Sequence, residues 1–158
     1  MLNLQLKKRP SNMKKLVLLI AIAIASITVF GQNGYTDFET LADIQIKTKL
    51  AHSKAKDTSS PIELSLFFQN TGTTEVIVCY ELYIEDEESG EIRHSGHKTV
   101  KVRPGQKQMG KISNLCYELV GKNIDDYTNG SKRWYFKSLL VKDSVTGEVI
   151  ATSSKTEE

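Results

Sequence analysis

Alternation of apolar and polar residues is the dominant pattern of the chain. Val76, Val78, Tyr80, Leu82 and Ile84 fall on one face of an extended segment and Ile77, Cys79, Glu81, Tyr83 and Glu85 on the other. A period of two over nine residues predicts a strand whose first face is buried. Ile44, Ile46, Thr48 and Leu50 alternate with Gln45, Lys47 and Lys49 in the same way, and Ile62, Leu64, Leu66 and Phe68 alternate with Glu63, Ser65, Phe67 and Gln69. In the segment 132–142, Trp134, Phe136, Ser138 and Leu140 are expected on one face, with Tyr135, Lys137, Leu139 and Val141 opposite. A return strand is expected over 97–103 and a closing strand over 148–153.

Turn chemistry separates these runs. Asn70-Thr71-Gly72 reads as a tight turn using left-handed backbone, Pro104-Gly105 as a type II turn, and Asp143–Gly147 as a hairpin turn. Segments 52–61 and 121–132 are loops by composition, 108–119 is a short strand followed by a crossing loop or helical turn, 32–43 is an irregular lead-in, and the tail from Ser154 is expected to fray. About seven short strands without a long amphipathic helix predict an all-β, immunoglobulin-like antiparallel β-sandwich, because each strand offers one apolar face that needs cover.

The amino terminus has a different character. Lys7, Lys8, Arg9, Lys14 and Lys15 precede the apolar run 16–30, and no acid occurs before residue 32. Fifteen residues at a helical rise span about 22 Å, short of a bilayer core. Basic start, apolar middle and Val29 and Gly31 before Gln32 describe a secretory signal peptide over 1–31, with Met13 as the natural start and 32–158 as one domain. Of the 21 basic residues, five lie in this segment, so 16 face 19 acids in the remainder, a net charge of −3. That balance gives no electrostatic ground for nucleic-acid binding. Export implies a periplasmic or extracellular, oxidising location, no membrane span after cleavage, and two open readings for Cys79 and Cys116: a disulfide, or two buried free thiols.

Candidate chemistry is sparse. His94 and His97 lie three apart, with His52 elsewhere, which is too little for a signature metal site, and no metal or cofactor is expected. There is no Gly-x-Ser-x-Gly elbow and no glycine loop opening a helix. The acidic run 85–91 is expected to project into solvent as a turn, unable to hold two carboxylates at a fixed separation. The reading is therefore a non-enzymatic one. Glu85, Glu87 and Glu88, with Lys98, Lys101, Arg103 and Lys107 on the return side, form the candidate partner-contact surface, and the same lysines equally describe a solvated edge protected against association. Tyr83, Phe67 and one or more of Trp134, Tyr135 and Phe136 are either core packing or an exposed aromatic row for glycan or peptide.

The stretch from Cys79 to Ser113, with Tyr80–Ile84, Ser89-Gly90, Ser95-Gly96 and Pro104-Gly105-Gln106, followed by the hairpin Asp143–Ala151, resembles the small curli-assembly proteins of the CsgC/CsgH type over about the last half of the chain. The resemblance implies a periplasmic β-sandwich that restrains premature amyloid formation by a secreted fibre subunit, its partner. The Cys-x-Cys pair of some members is not present here. A generic secreted immunoglobulin-like adhesion, scaffold or inhibitor domain binding protein or glycan is the alternative.

Overall fold

A computed structural model describes residues 34–156. The segment read from sequence as a signal peptide, with its expected start at Met13, lies outside the described residues. From Tyr35 onward the chain forms one compact unit made of two antiparallel sheets. Sheet A has the order β1 (Thr36–Leu41), β2 (Ile44–His52), β3 (Ile62–Asn70), β7 (Lys107–Met109), with β8 (Cys116–Glu118) also on β3. Sheet B has the order β10 (Val149–Thr152), β9 (Lys132–Asp143), β4 (Val76–Asp86), β5 (Glu91–His94), with β6 (Lys98–Val102) also on β4. A 3-10 turn at Lys111–Ser113 and a single helical turn, α1 (Asp126–Asn129), complete the elements.

The expected sandwich is present, with ten strands rather than about seven. The additional ones are short or irregular. β1 lies in the segment read as an irregular lead-in, and β5 begins at the last residue of the run read as a projecting acidic turn and fills the stretch before the expected return strand. β5 and β6 run along the same side of β4 as one broken strand. At the break, Gly96 takes φ +64 and Ser95 keeps Leu82 paired. The Ser95 N–H donates to the Leu82 carbonyl at 2.9 Å and its Oγ accepts the Leu82 N–H at 3.0 Å.

β4 is the spine of sheet B. All eleven of its residues are registered against β9, Val76 with Asp143 through to Asp86 with Lys132. Its even-numbered residues are buried throughout, as the alternation requires. Opposite them, sheet A contributes Ile44, Ile46, Ile62, Leu64, Leu66 and Phe68, all at 1% exposure or less. Tyr80 sits at the centre of an aromatic cluster, 5.7 Å from Phe68 and 5.9 Å from Phe136 between ring centres. Its hydroxyl meets that of Tyr117 at 2.6 Å, so the phenol reaches a partner from within the core. Burial raises the pKa of Tyr80 far above the ordinary phenol value.

The alternation breaks on β9. Trp134 and Phe136 point inward, but so do Leu139 and Val141, because a bulge lies where Glu81 pairs Ser138 and Leu82 pairs Phe136. Lys137 is the extra residue, so the faces exchange beyond it. A second bulge, at Phe38 in β1, turns that ring across to sheet B, 5.9 Å from Trp134 and 5.3 Å from Phe136. The carboxyl-terminal segment reinforces this closure rather than fraying. The Ser153 hydroxyl donates to Glu39, the Lys155 ammonium donates to the Phe38 carbonyl, and Thr156 bridges to Phe136.

On the other side of the sandwich Asn70 clamps two turns. Its Nδ2 donates to the carbonyls of Thr74 at 2.8 Å and Val102 at 2.9 Å, while its Oδ1 accepts the Gly72 N–H at 2.8 Å. Its backbone N–H and carbonyl engage Gln106 and Gly105. Gly105 at φ +71 and the Gln106 N–H to Arg103 carbonyl bond make Pro104-Gly105 the expected type II turn. Gly72 is required for a different reason from the one expected. Its φ is not left-handed. Instead, a Cβ there would lie 2.5 Å from the Asp43 Oδ2 and 2.8 Å from its Cβ.

Asn70→Ala strips partners from two carbonyls and one N–H in a buried corner. It is expected to lower stability by about 3 kcal/mol, read from the urea midpoint at unchanged slope. A loss below about 0.5 kcal/mol would show that the corner is not held by this amide.

Candidate functional site

The outward face of sheet B carries most of the side chains that the sequence singles out. Glu85 and Asp86 end β4 and therefore point to opposite faces. Neither projects into solvent as expected. Glu85 accepts the Tyr135 hydroxyl at 2.6 Å and the Arg133 Nε at 2.7 Å. Asp86, on the core side, is 7% exposed and accepts the Lys132 ammonium at 2.7 Å. Its other oxygen caps the following turn through the Glu88 N–H at 3.1 Å. The physical reason is the register: antiparallel pairing sets Glu85 and Asp86 directly against Arg133 and Lys132. The Tyr135 hydroxyl and the Arg133 guanidinium hold Glu85 below the ordinary carboxylate range, and the Lys132 ammonium does the same for Asp86. Glu87 and Glu88 are exposed on the turn, with Glu87 3.9 Å from Arg133.

Of the basic members of the candidate surface, Lys98 stands beside the middle of β4 and Lys101 towards its other end. Lys101 is registered with Ile77 and Lys98 with Tyr80. From Ile77 to Glu85 is eight residues of strand, about 26 Å. Arg103 lies 3.4 Å from Glu75, and Lys107 belongs to β7 in sheet A, opposite Gln69. The acids and bases therefore form two separate places and not one surface of mixed sign. Lys98 and Lys101 are exposed, and among the described residues no carboxylate lies within ion-pairing distance of them.

The aromatic residues divide between the two faces. Trp134 is packed inward, 6.1 Å from Phe136. Phe67 points outward yet is fully buried, with Tyr35 at 5.6 Å. Tyr83 is half-buried on the outer face of β4, stacked on His94 of β5 at 5.5 Å and on Tyr135 of β9 at 5.7 Å. The Arg133 guanidinium lies 5.4 Å from the Tyr135 ring centre. Both faces of the Tyr83 ring are thus occupied by neighbours. The row is a cross-strand ladder that stiffens the sheet, and its ring faces are not presented as a platform for a sugar.

Cys79 and Cys116 are free thiols, each half-buried, in keeping with the second of the two readings left open by the sequence. Cys79 lies on the outer face of β4 in sheet B, beside Thr99 and Leu140, while Cys116 lies on β8 in sheet A opposite Ser65. Packed sheets stand about 10 Å apart, and a disulfide needs Cα atoms within about 7 Å. Cys116 donates to Glu63 at 3.3 Å and contacts Ser65 Oγ at 3.5 Å. Burial, with the Glu63 carboxylate beside it, pushes the Cys116 thiol up. Cys79 floors a shallow groove of about 330 Å³ with His97, Lys98, Thr99, Ser138, Leu140 and Lys142.

The histidines are dispersed: His52 Nδ1 donates to the Ser60 carbonyl at 2.9 Å, and His94 belongs to the ladder. Among the described residues no three His, Cys, Asp or Glu side chains converge as metal ligands, and no helix is long and apolar enough to cross a membrane.

Lys132, Arg133 and Tyr135 were not singled out from sequence as partners of the acidic run. The signal was present: one strong strand ends in Glu85-Asp86 and another begins with Lys132-Arg133, which pair only if the two are antiparallel neighbours.

No protein-family model matches this chain, and neither does any curated protein sequence. Among solved structures, the chain is similar to a beta-glucosidase from Chaetomella raphigera, at 19% identity and a TM-score of 0.30, covering 72% of this chain and 18% of that one. It is also similar to a beta-D-glucoside glucohydrolase from Trichoderma reesei, at 15% identity and a TM-score of 0.26, covering 74% of this chain and 18% of that one. The chain thus spans under a fifth of the length of either, and the likeness carries no argument about activity.

Two outcomes follow. A thiol titration in denaturant without reductant is expected to find two thiols per chain, and in the native state Cys116 should react slowly; fewer than two in the unreduced protein would restore the disulfide. The depressed carboxylates of Glu85 and Asp86 contribute stability that is fully present above the ordinary values of 4.5 and 3.8 and is lost as pH falls through their lower folded values. Urea midpoints are therefore expected to hold from neutral pH to about 5 and to fall below it, with the acid slope reduced in Asp86→Asn.

Proposed function

We propose that the protein is a non-enzymatic exported binding module of the curli-assembly type, which restrains premature amyloid formation by a secreted fibre subunit. The reading rests on the resemblance of the Cys79–Ser113 stretch and the closing hairpin to that family, and on one structural observation that supports it. The outer strand beside β4 is broken into β5 and β6, each of five residues or fewer, with Gly96 kinking the chain between them. β5 pairs only β4, and all four of its residues are exposed. Beyond the kink stand Lys98 and Lys101, neither with a carboxylate partner among the described residues. Lys98 shares the core-side register of Tyr80, a charge placed where a further strand would have to pack.

A growing amyloid presents an unpaired strand edge. A short, kinked edge lined with cations offers such a chain a few backbone hydrogen bonds and electrostatic attraction, and then no straight ladder along which to propagate. Contact of this kind is transient, as a chaperone requires. The Tyr83 ladder and the inward Trp134 weigh against the alternative of a glycan-binding domain, because the rings it would use are covered.

The test uses the chain from Gln32 with a purified curli-type fibre subunit. The expected result is a prolonged lag in dye-monitored fibre growth at substoichiometric ratio, weakened by salt and lost in Lys98→Glu/Lys101→Glu with the circular dichroism unchanged. An unaltered lag at equimolar protein overturns the proposal.

A further inference from the structure

The outer face of sheet B is laid out in rows, because residues registered across antiparallel strands share a face. One row runs Lys101, Ile77, Lys142 across β6, β4 and β9, and the next runs Thr99, Cys79, Leu140. Val149 of β10, 53% exposed just before the bulge at Ile150, continues the first row beyond Lys142. Neighbouring strands stand about 4.8 Å apart, so the backbones of Lys101 and Lys142 flank a strip roughly 10 Å wide. Between Ile77 and Glu81 the small Cys79 side chain leaves room for the groove of about 330 Å³. That volume lies at the lower end of the range for small-molecule sites, about 300–1,000 Å³. Its floor is Cys79 and Leu140, both half-buried, and Thr99 and Ser138 line it with hydroxyls.

The charge around this floor is of one sign. Lys98 and Lys142 line the groove, and Lys101 stands in the adjoining row. Among the described residues none of the three has a carboxylate within ion-pairing distance. The acids that bracket the stretch along the same face of the chain are Glu75 and Glu81, and each already has a basic neighbour, Arg103 at 3.4 Å and His94 at 3.6 Å. From Glu75 to Glu81 is six residues of extended chain, about 20 Å. A polyanion such as a nucleic acid or an anionic bilayer would lie across both carboxylates. A single small anion between them meets only cations.

We infer that this groove binds a small organic monoanion, with an apolar body over Cys79 and Leu140 and a compact negative head against the ammonium groups of Lys142 and Lys98. The body takes the exposed apolar floor out of water, and the head meets two charges that no carboxylate of the sheet neutralises. Lysines are point charges on flexible stems and impose no forked geometry, so charge and shape define the ligand class. Exposure of the ammonium groups keeps the binding weak and sensitive to salt. The inference goes beyond the client-holding reading. Cys79, Leu140 and Lys142 take no part in that reading, and no fibre subunit enters the test, so either can fail alone.

The two thiols supply the readout, since Cys79 floors the groove and Cys116 lies on the other sheet beside Glu63. The native chain from Gln32 is alkylated with neutral iodoacetamide or with anionic iodoacetate, and each cysteine is quantified by mass spectrometry. At Cys79 the iodoacetate-to-iodoacetamide rate ratio is expected to be at least about threefold above that of the same chain in urea, and to fall with added salt. At Cys116 no such preference is expected. p-Toluenesulfonate, up to about 10 mM, is expected to slow iodoacetamide at Cys79 and not at Cys116, and the uncharged p-toluenesulfonamide to bind at least about tenfold more weakly. Lys142→Glu should abolish both the preference and the protection, and Lys142→Gln, the milder second variant, should reduce both. Lys122→Glu makes the same change of charge at an exposed residue after β8 and should leave both intact. Near-ultraviolet circular dichroism confirms that each variant keeps its core. A ratio at Cys79 equal to that in urea overturns the inference, as does a Cys79 that neither reagent modifies. Absence of protection, equal protection by the sulfonamide, or protection unchanged in both Lys142 variants overturns it too.

Discussion

The pairing of β4 along both of its edges is the constraint from which the rest of the fold follows. Eleven residues register against β9 on one side, and β5 with β6 cover the other. A strand held in this way cannot slip by one residue without carrying its whole apolar set to the wrong face. Tyr80 then has a single position in the core, from which it organises Phe68, Phe136 and Tyr117. The same register sets Glu85 and Asp86 against Arg133 and Lys132, so charge agrees with the apolar pattern about which pairing is correct. Asp86 and Lys132 are 8% and 11% exposed in their side chains, and an ion pair that secluded tolerates no other register, since a slip would leave both charges uncompensated.

Strands β2, β3 and β4 were legible in the sequence because each one obeys a strict period of two for at least seven residues. The Val76–Ile84 face, the β2 and β3 alternations and the Pro104-Gly105 turn stand in the structure as the residues imply. What escaped was of three kinds. Bulges at Phe38, Lys137 and Ile150 each insert one residue and reverse the faces beyond it, a change that no local pattern announces. Strands as short as β5, β7 and β8 have too few residues to display a period. Long-range partners were hidden as well: the acidic run looked solvent-bound until Lys132 and Arg133, some 46 residues away, were set against it. Cys79 and Cys116 illustrate the same limit. An even count invites a bridge, but only the assignment of the two residues to different sheets shows that they face away from each other. Of the candidate contact residues, Lys98 and Lys101 stand exposed on the edge strand beside β4. The sequence did not reveal that Glu85 is held by Tyr135 and Arg133, while Glu87 and Glu88 stand on the exposed turn.

The distribution of charge separates structure from surface. Lys47, Lys111, Lys132 and Arg133 each stand against a named carboxylate and serve the sheets themselves. Lys98 and Lys101 have no such partner among the described residues and stand on the edge that is kinked and broken. The uncharged β10 stands at the opposite edge. One sheet thus carries one edge that is kinked and charged and another that is short, bulged at Ile150 and uncharged.

Trp134 is the chain's single tryptophan, and it lies where three separate parts of the molecule converge: β9, the Phe38 bulge of β1, and the carboxyl-terminal segment that grips Phe38. The indole is covered by β1, which is registered with β2 at five positions but is clasped to sheet B through one ring, one hydroxyl and one ammonium, whereas β9 itself is held along eleven registered positions of β4. Loosening of the amino-terminal strand would therefore wet the indole before the sheets part. The protein carries its own optical gauge for that clasp, and an early red shift in emission, ahead of the loss of strand signal, would be the mark of a domain that opens from its first strand inward.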